Sequence, residues 1–231
     1  MVKRNLFLTF FSTIIIIGAV MTAISYSTRL DSPVLIHVPI IKQKPELYNG
    51  CEVTTLAMLL NWTGVAVDKM DLAKEIQKDN TELTKDLDGM IVSWGDPNEG
   101  FVGDITGLEM GYGVYHKSIA SLLNEYMPEI SVDLTGTSFK KILNHVKKGK
   151  PVAVWCTSFF KPTEDWVTWE GPNGPVTATF DEHCVLLVGF DLTKQVVYIN
   201  DPLDGSRGKP IPLEDFKNSW EQLGSQAVSI K

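Results

Sequence analysis

The sequence has few of the residues that several common classes of protein require. The 231-residue chain has a net charge of −7 and no run of Lys or Arg longer than Lys147-Lys148. Because phosphate binding needs a basic surface, a nucleic-acid partner is not expected. Three cysteines, Cys51, Cys156 and Cys184, are too few for a disulfide framework, and an odd count leaves at least one thiol unpaired in the monomer.

Histidine is also scarce. The four histidines show no spacing such as His-x-x-x-His, so a metal hydrolase has little support, and neither a metal nor another cofactor is predicted. His37 is expected to be a surface or packing residue, His116 a polar cap and His145 a solvated side chain. Internal repeats, low-complexity tracts and interdomain linkers are lacking as well, which favours one domain.

Charge is missing from residues 6–24, an apolar run preceded by Lys3-Arg4. This pattern is typical of an export signal, and the run is just long enough to span a bilayer. Residues 1–30 are therefore predicted to be a signal peptide or an N-terminal membrane anchor. Residues 31–231 would form a domain that is extracellular or anchored on the outer face of the cytoplasmic membrane.

The remainder mixes helical and strand periodicity, which predicts a single α+β domain. Two segments, residues 80–113 and 159–179, are rich in Gly, Pro and aromatic residues and show little periodicity. We expect them to be loops that wall a cleft, although the first could equally be a plain insertion and the aromatics of the second could be packed down. Helices are predicted at residues 51–61, 69–78, 117–126, 138–148 and 212–220, and strands at residues 151–156, 183–190, 196–200 and 227–230.

Cys51 is the residue around which the candidate site is built. A turn containing Asn49-Gly50 precedes it, and an apolar stripe that begins at Val53 places it at the start of a helix. The unpaired N–H groups and the dipole of a helix N-terminus favour an exposed thiolate. Cys156 and Cys184 lie in apolar, strand-like runs, where cysteine usually acts as a small hydrophobic residue.

A predicted hairpin brings a histidine and a carboxylate to the same place. If Phe190 and Val196 flank its turn, His183 lies opposite a residue near position 203, and Asp201 falls within two residues of that position. A carboxylate beside an imidazole fixes its tautomer and stabilises the imidazolium. If the other ring nitrogen reaches Cys51, a thiolate–imidazolium pair forms and lowers the pKa of the thiol.

Attack on a carbonyl also needs a donor for the developing oxyanion. Gln43 could supply its side-chain amide, and Cys51 its backbone N–H. Asn49 is a competing donor, although Asn before Gly is more often a turn residue.

These residues resemble the bacteriocin-processing peptidase-like family, which belongs to the papain-like cysteine peptidases. The likeness rests on Asn-Gly-Cys-Glu-Val-Thr-Thr-Leu-Ala-Met at residues 49–58, on His183 before an apolar strand, and on Asn-Asp-Pro at residues 200–202. It implies a papain-like fold in which a helical part carrying the Cys packs against an antiparallel sheet carrying the His and Asp. It also implies Cys51 as nucleophile, His183 as general base and acid, Asp201 as its orienting partner and Gln43 as oxyanion donor.

The sequence therefore predicts an exported cysteine peptidase whose substrate is a peptide or a cell-wall peptide. The alternative is a catalytically silent module of the same fold that binds peptide or cell wall through its aromatic- and glycine-rich loops. The sequence carries no prediction of oligomeric state.

Overall fold

The computed structural model describes residues 32–231, so the predicted leader at residues 1–30 lies outside the described part of the chain. Among the described residues no helix is both long enough and apolar enough to cross a bilayer.

A seven-stranded sheet forms the centre of the fold. Its strands are β1 (Val34–Leu35), β7 (Ser131–Asp133), β8 (Val152–Thr157), β11 (Glu182–Asp191), β12 (Val196–Asp201), β13 (Ser206–Pro212) and β14 (Ala227–Ile230). They run in the order β13-β12-β11-β8-β14-β7, and β1 pairs with β11 beside this path. All of these pairings are antiparallel.

Helices cover both faces of this sheet. One face packs against α1 (Cys51–Thr63), α2 (Lys69–Glu75) and α3 (His116–Tyr126), and the other against α4 (Phe139–Lys147) and α5 (Leu213–Gln222). Strand β11 is buried along almost its whole length because alternate side chains enter the two cores. Cys184, Leu186 and Val188 face α1, and Val185 and Leu187 face α4 and α5.

The predicted helices form, with small differences at their ends. Helix α1 is capped by Gly64 at a φ of 93°, as expected for a left-handed C-cap. Asp68 caps α2 by accepting a hydrogen bond from the Met70 N–H at 2.7 Å. This helix ends at Glu75, before the predicted residue 78, because Lys78 pairs with Phe101 in a parallel bridge.

The prediction that residues 80–113 and 159–179 are loops was wrong in part. The first segment contains the short strands β3 (Thr84–Lys85), β4 (Ile91–Ser93), β5 (Phe101–Gly103) and β6 (Gly111–Gly113), with β2 (Lys78–Asp79) just before it. The second contains a hairpin of β9 (Val167–Gly171) and β10 (Gly174–Ala178). These strands form a four-stranded sheet, β10-β9-β4-β3, and a three-stranded sheet, β2-β5-β6.

A small aromatic core explains why these short strands hold together. Trp94, Tyr112 and Trp169 pack against one another, with ring centroids 5.7 to 5.8 Å apart for the pairs that include Trp169. The Trp169 indole N–H also donates to the Gly95 carbonyl at 2.8 Å. Burial of large aromatic surfaces therefore takes the place of the periodicity that the segments lack.

Candidate active site

A hydrogen-bonded turn sets the start of α1. The Gly50 N–H donates to the Leu47 carbonyl at 3.4 Å, and a Cβ at Gly50 would lie only 2.8 Å from the Leu47 Cβ. The Asn49 side-chain amide donates to the Asp104 carbonyl at 2.7 Å. Asn49 therefore acts as a turn residue here, and its amide is directed to the neighbouring loop.

Cys51 is the first residue of α1, as predicted, but its sulfur is not exposed. The residue is only 6% exposed, and its thiol donates to Glu52 Oε2 at 3.3 Å. The backbone N–H of Cys184 donates to the same sulfur at 3.4 Å. Burial raises the pKa of the Cys51 thiol well above its usual value, and the nearby acidic groups of Glu52 and Glu182 raise it further. The sequence led us to expect a lowered pKa, because it did not show that the thiol is buried and that Glu182 joins Glu52 beside the sulfur.

His183 and Asp201 touch, as the strand arithmetic predicted. The His183 Nε2 lies 2.8 Å from Asp201 Oδ1, and both side chains are almost fully buried. The pairing of Leu186 with Asn200 sets this register, with a bulge between Leu187 and Gly189.

Asp201 is held as a carboxylate. Burial alone would raise its pKa, but the hydrogen bond and charge of His183, the Leu203 N–H and Lys209 together lower the pKa to about 2. The Lys209 ammonium lies 3.1 Å from Asp201 Oδ2. Asp201 is thus ionised near neutral pH, and its carboxylate is hydrogen-bonded to the His183 imidazole.

Gln43 lies against the turn that follows Asp201. Its backbone N–H donates to the Pro202 carbonyl at 2.9 Å, and its side-chain Nε2 donates to the Tyr48 carbonyl at 2.8 Å. The residue is 2% exposed, and its Oε1 is buried without a hydrogen-bond partner. One N–H of the amide remains beyond the bond to Tyr48.

The structure thus brings all four predicted residues to the start of β11 and the end of β12. His183 bonds Asp201, the turn after Asp201 holds Gln43, and the strand residue after His183 donates to the Cys51 sulfur. Within residues 32–231 no hydrogen bond joins the Cys51 sulfur to the His183 ring. The thiol instead donates a hydrogen bond to Glu52, and the sulfur accepts one from the Cys184 N–H. Nδ1 of His183 has no partner among the described residues.

The other histidines lie elsewhere. His37 is exposed, with its Nδ1 3.4 Å from an Arg207 nitrogen, and His116 pairs with Asp133 at 2.6 Å. The expectation that His145 is a solvated side chain was wrong, since its Nε2 lies 2.8 Å from the Ile230 carbonyl oxygen.

Sequence reasoning missed Glu52 and Glu182. Glu52 is completely buried, and Glu182 directly precedes His183 at the start of β11. The available signal was a single charge in the first turn of a helix that is otherwise apolar. The ligand atoms of Cys51, Glu52 and Glu182 lie within 4.8 Å of one another. We interpret the set as an acid cluster rather than a metal site, because both Glu52 oxygens already accept hydrogen bonds from the protein.

The two segments predicted to wall a cleft do line one cavity of about 280 Å³. Asn98 comes from the first segment and Trp166 and Thr177 from the second. Tyr115, which also lines the cavity, hydrogen-bonds through its hydroxyl to Tyr112 at 2.8 Å.

Known proteins resemble this chain over most of its length. The model of the Peptidase_C39 like family matches residues 35–228. The chain is 41% identical over 187 residues to the uncharacterized protein YvpB of Bacillus subtilis (strain 168), covering 81% of this chain and 71% of that protein.

A solved crystal structure shows the same fold. A crystal structure of a protein from Bacillus anthracis, described as a C39-like peptidase, superposes with a TM-score of 0.79 at 46% identity, covering 87% of this chain and 98% of that one. A double glycine motif protease from an AMS/PCAT transporter, in complex with the leader peptide, is a more remote match, at 17% identity and a TM-score of 0.45 over 86% of this chain and 96% of that one. The predicted α+β, papain-like architecture is confirmed. The chain belongs to the Peptidase_C39 like family of papain-like cysteine peptidase relatives.

Proposed function

We propose that this chain is an exported cysteine peptidase that hydrolyses peptide or amide bonds with Cys51 as nucleophile. The observation that carries the proposal is the buried hydrogen bond of 2.8 Å between His183 and Asp201. His183 lies next to Cys184, whose backbone N–H donates to the Cys51 sulfur. A buried carboxylate leaves the imidazole only one free nitrogen, Nδ1, with which to exchange protons.

The reaction starts with proton transfer from the Cys51 thiol to His183 Nδ1. The resulting thiolate attacks the substrate carbonyl carbon, and the carbonyl electron pair moves onto its oxygen. His183 then gives the proton to the leaving amine as the C–N bond breaks, which leaves a thioester on Cys51. A water molecule, deprotonated by His183, hydrolyses this thioester and returns the enzyme to its starting state.

Two donors are available for the oxyanion. The free N–H of the Gln43 amide is one, and the Cys51 backbone N–H, which has no acceptor among the described backbone hydrogen bonds, is the other. Donors fixed before the reaction stabilise the tetrahedral intermediate without reorganisation. Gln43 is fixed by its bonds to Pro202 and Tyr48.

The test is cleavage of a mixed peptide library, read by mass spectrometry, with the full chain. Wild type should cleave, Cys51→Ala should be inactive, and Cys156→Ala, a change at a buried cysteine in the core on the other side of the sheet, should retain activity within a few-fold. Cleavage that survives Cys51→Ala would contradict the proposal.

A silent binding module is the second candidate, and the cavity lined by Trp166, Tyr115 and Asn98 favours it. An aromatic ring beside amide groups is suited to holding a peptide or a cell-wall fragment. This function requires that Cys51→Ala binds such a ligand as tightly as wild type and that wild type never turns it over.

Export is proposed from the apolar, uncharged residues 6–24 alone. In whole cells that make the full chain, a protease added outside should digest the domain. A variant without residues 1–30 should be protected inside the cell. Equal protection of both chains would contradict the proposed location.

A further inference from the structure

Two glutamates lie beside the proposed nucleophile and have no part in the mechanism above: Glu52 is fully buried and Glu182 is half-buried. Glu52 follows Cys51 in the first turn of α1, and Glu182 precedes His183 on β11. Their side chains meet above Gly113. A Cβ on this glycine would lie 2.3 Å from Glu52 Oε1 and 3.3 Å from Glu182 Oε2. Three acidic groups, the thiol and the two carboxyls, therefore share one small space.

The hydrogen bonds of this cluster are incomplete. Glu52 Oε1 accepts the Val114 N–H at 2.7 Å, and Glu52 Oε2 accepts the Cys51 thiol at 3.3 Å. Glu182 Oε1 is buried and has no partner. No Lys, Arg or His in residues 32–231 forms an ion pair with either glutamate. Without a nearby cation, two carboxylates this close cannot both be charged, so the pair must hold a proton near neutral pH.

The remaining groups that face Glu52 are acids as well. They are Tyr112 on β6, Tyr115 between β6 and α3, and Cys184 on β11, and burial raises the pKa of each. Burial also raises the pKa of Glu52 to about 7. Burial, followed by the charge of Glu52, raises the pKa of Glu182 well above its usual value. Glu52 accepts two hydrogen bonds that stabilise its charged form, whereas Glu182 Oε1 accepts none. Glu182 is therefore the member that keeps its proton, and Glu52 is the one that titrates.

The charge on Glu52 decides whether the Cys51 thiol can give its proton to His183. An ionised Glu52 accepts the S–H bond, so it holds the thiol proton on sulfur, and its negative charge opposes a thiolate. A protonated Glu52 accepts less readily and can donate its O–H to sulfur. The thiol proton is then free to pass to His183 Nδ1, and the thiolate keeps a hydrogen bond from Glu52 and one from the Cys184 N–H.

We propose that Glu52 and Glu182 form a proton-holding pair that positions the Cys51 sulfur and releases it to His183 only while Glu52 is protonated. The proposal rests on the proposed function in so far as Cys51 is the nucleophile. Glu52 is then a positioning residue. Its ionisation sets the pH above which activity falls, and Glu52 itself neither forms nor breaks a bond of the substrate.

The reactivity of Cys51 toward iodoacetamide tests this pair without any peptide substrate. The full chain is alkylated between pH 5 and 9, and the rate at Cys51 is read by peptide mapping. In wild type the rate should fall about tenfold as the pH rises through about 7, since an adjacent charge of this kind shifts a thiol pKa by about one unit. Glu52→Gln, which keeps a neutral donor at every pH, should lose the fall. Glu182→Gln should keep it.

Glu170→Gln is the matched control, because this exposed glutamate on β9 lies outside the cluster, and its profile should match wild type. A wild-type rate that rises steadily with pH, or identical profiles for wild type and Glu52→Gln, would overturn the proposal.

Should Glu52→Gln fail to fold, difference infrared spectroscopy of wild type tests whether Glu52 titrates. One buried carboxyl must lose its protonated C=O band between pH 6 and 8, and a constant band would overturn the pair. Lack of peptidase activity would contradict the proposed function but would leave this profile unchanged.

Discussion

Asp201→Asn tests how strongly the folded protein holds the carboxylate that orients His183. The pKa of Asp201 is lowered from 3.8 to about 2, and the side chain is buried. One pKa unit corresponds to about 1.4 kcal/mol, so ionised Asp201 contributes about 2 kcal/mol to the free energy of unfolding. Because the folded pKa is depressed, this contribution is complete above pH 3.8 and is lost as the pH falls through about 2.

Urea unfolding of wild type and Asp201→Asn measures the effect. The gap between their free energies of unfolding should be about 2 kcal/mol at pH 6 and about 1 kcal/mol at pH 3, since protonation makes Asp201 resemble the variant. Asp204→Asn is the control, because Asp204 also pairs with Lys209 but is half exposed. An exposed pair contributes less than about 1 kcal/mol. A gap for Asp201→Asn that stays constant from pH 6 to pH 3 would refute the reasoning.

Three further outcomes follow from the same contacts. Asp201→Asn should lower kcat on the order of 10²–10⁴-fold, because the imidazole loses its orienting carboxylate, as steady-state cleavage would show. Gln43→Ala should lower kcat about 10²–10³-fold, but the rate of iodoacetamide alkylation at Cys51 should stay within about threefold of wild type, because alkylation develops no oxyanion. Equal losses in both assays would contradict the role of Gln43 as oxyanion donor. Gly113→Ala should cost about 2 kcal/mol or more in urea unfolding, because its Cβ would meet Glu52 Oε1 at 2.3 Å. Gly174→Ala, also at positive φ but with open space around the added Cβ, should cost only about 1 kcal/mol of backbone strain.

The sequence predicted those parts of the fold that short-range rules govern. The apolar stripe and Gly64 set the bounds of α1, and strand pairing placed His183 beside Asp201. In each case the deciding information lies within a few residues or within one hairpin.

Long-range packing decided the rest. The β9–β10 hairpin has the alternation of Val167 with Trp169 and of Val176 with Ala178, but its Gly-Pro-Asn-Gly turn suggested an irregular loop. These strands are stabilised by aromatic packing against residues far away in sequence.

The acid pair was beyond sequence reasoning for the same reason. Glu52 is adjacent to Cys51 in the sequence, but Glu182 is distant, and only the packing of α1 on β11 brings Glu182 to Glu52 and the Cys51 sulfur. Local rules predicted a helix N-terminus that lowers the pKa of the Cys51 thiol. Burial of the thiol beside two acidic side chains raises this pKa instead.

The central claim is that His183 activates Cys51. Labelling of the full chain at pH 6 with a peptidyl chloromethyl ketone, followed by intact-mass measurement and peptide mapping, tests it most directly. We expect a single adduct at Cys51 in wild type, an unchanged rate in His116→Ala, and a rate lowered about 10²-fold or more in His183→Ala. Labelling at another residue, or equal rates for wild type and His183→Ala, would contradict the account.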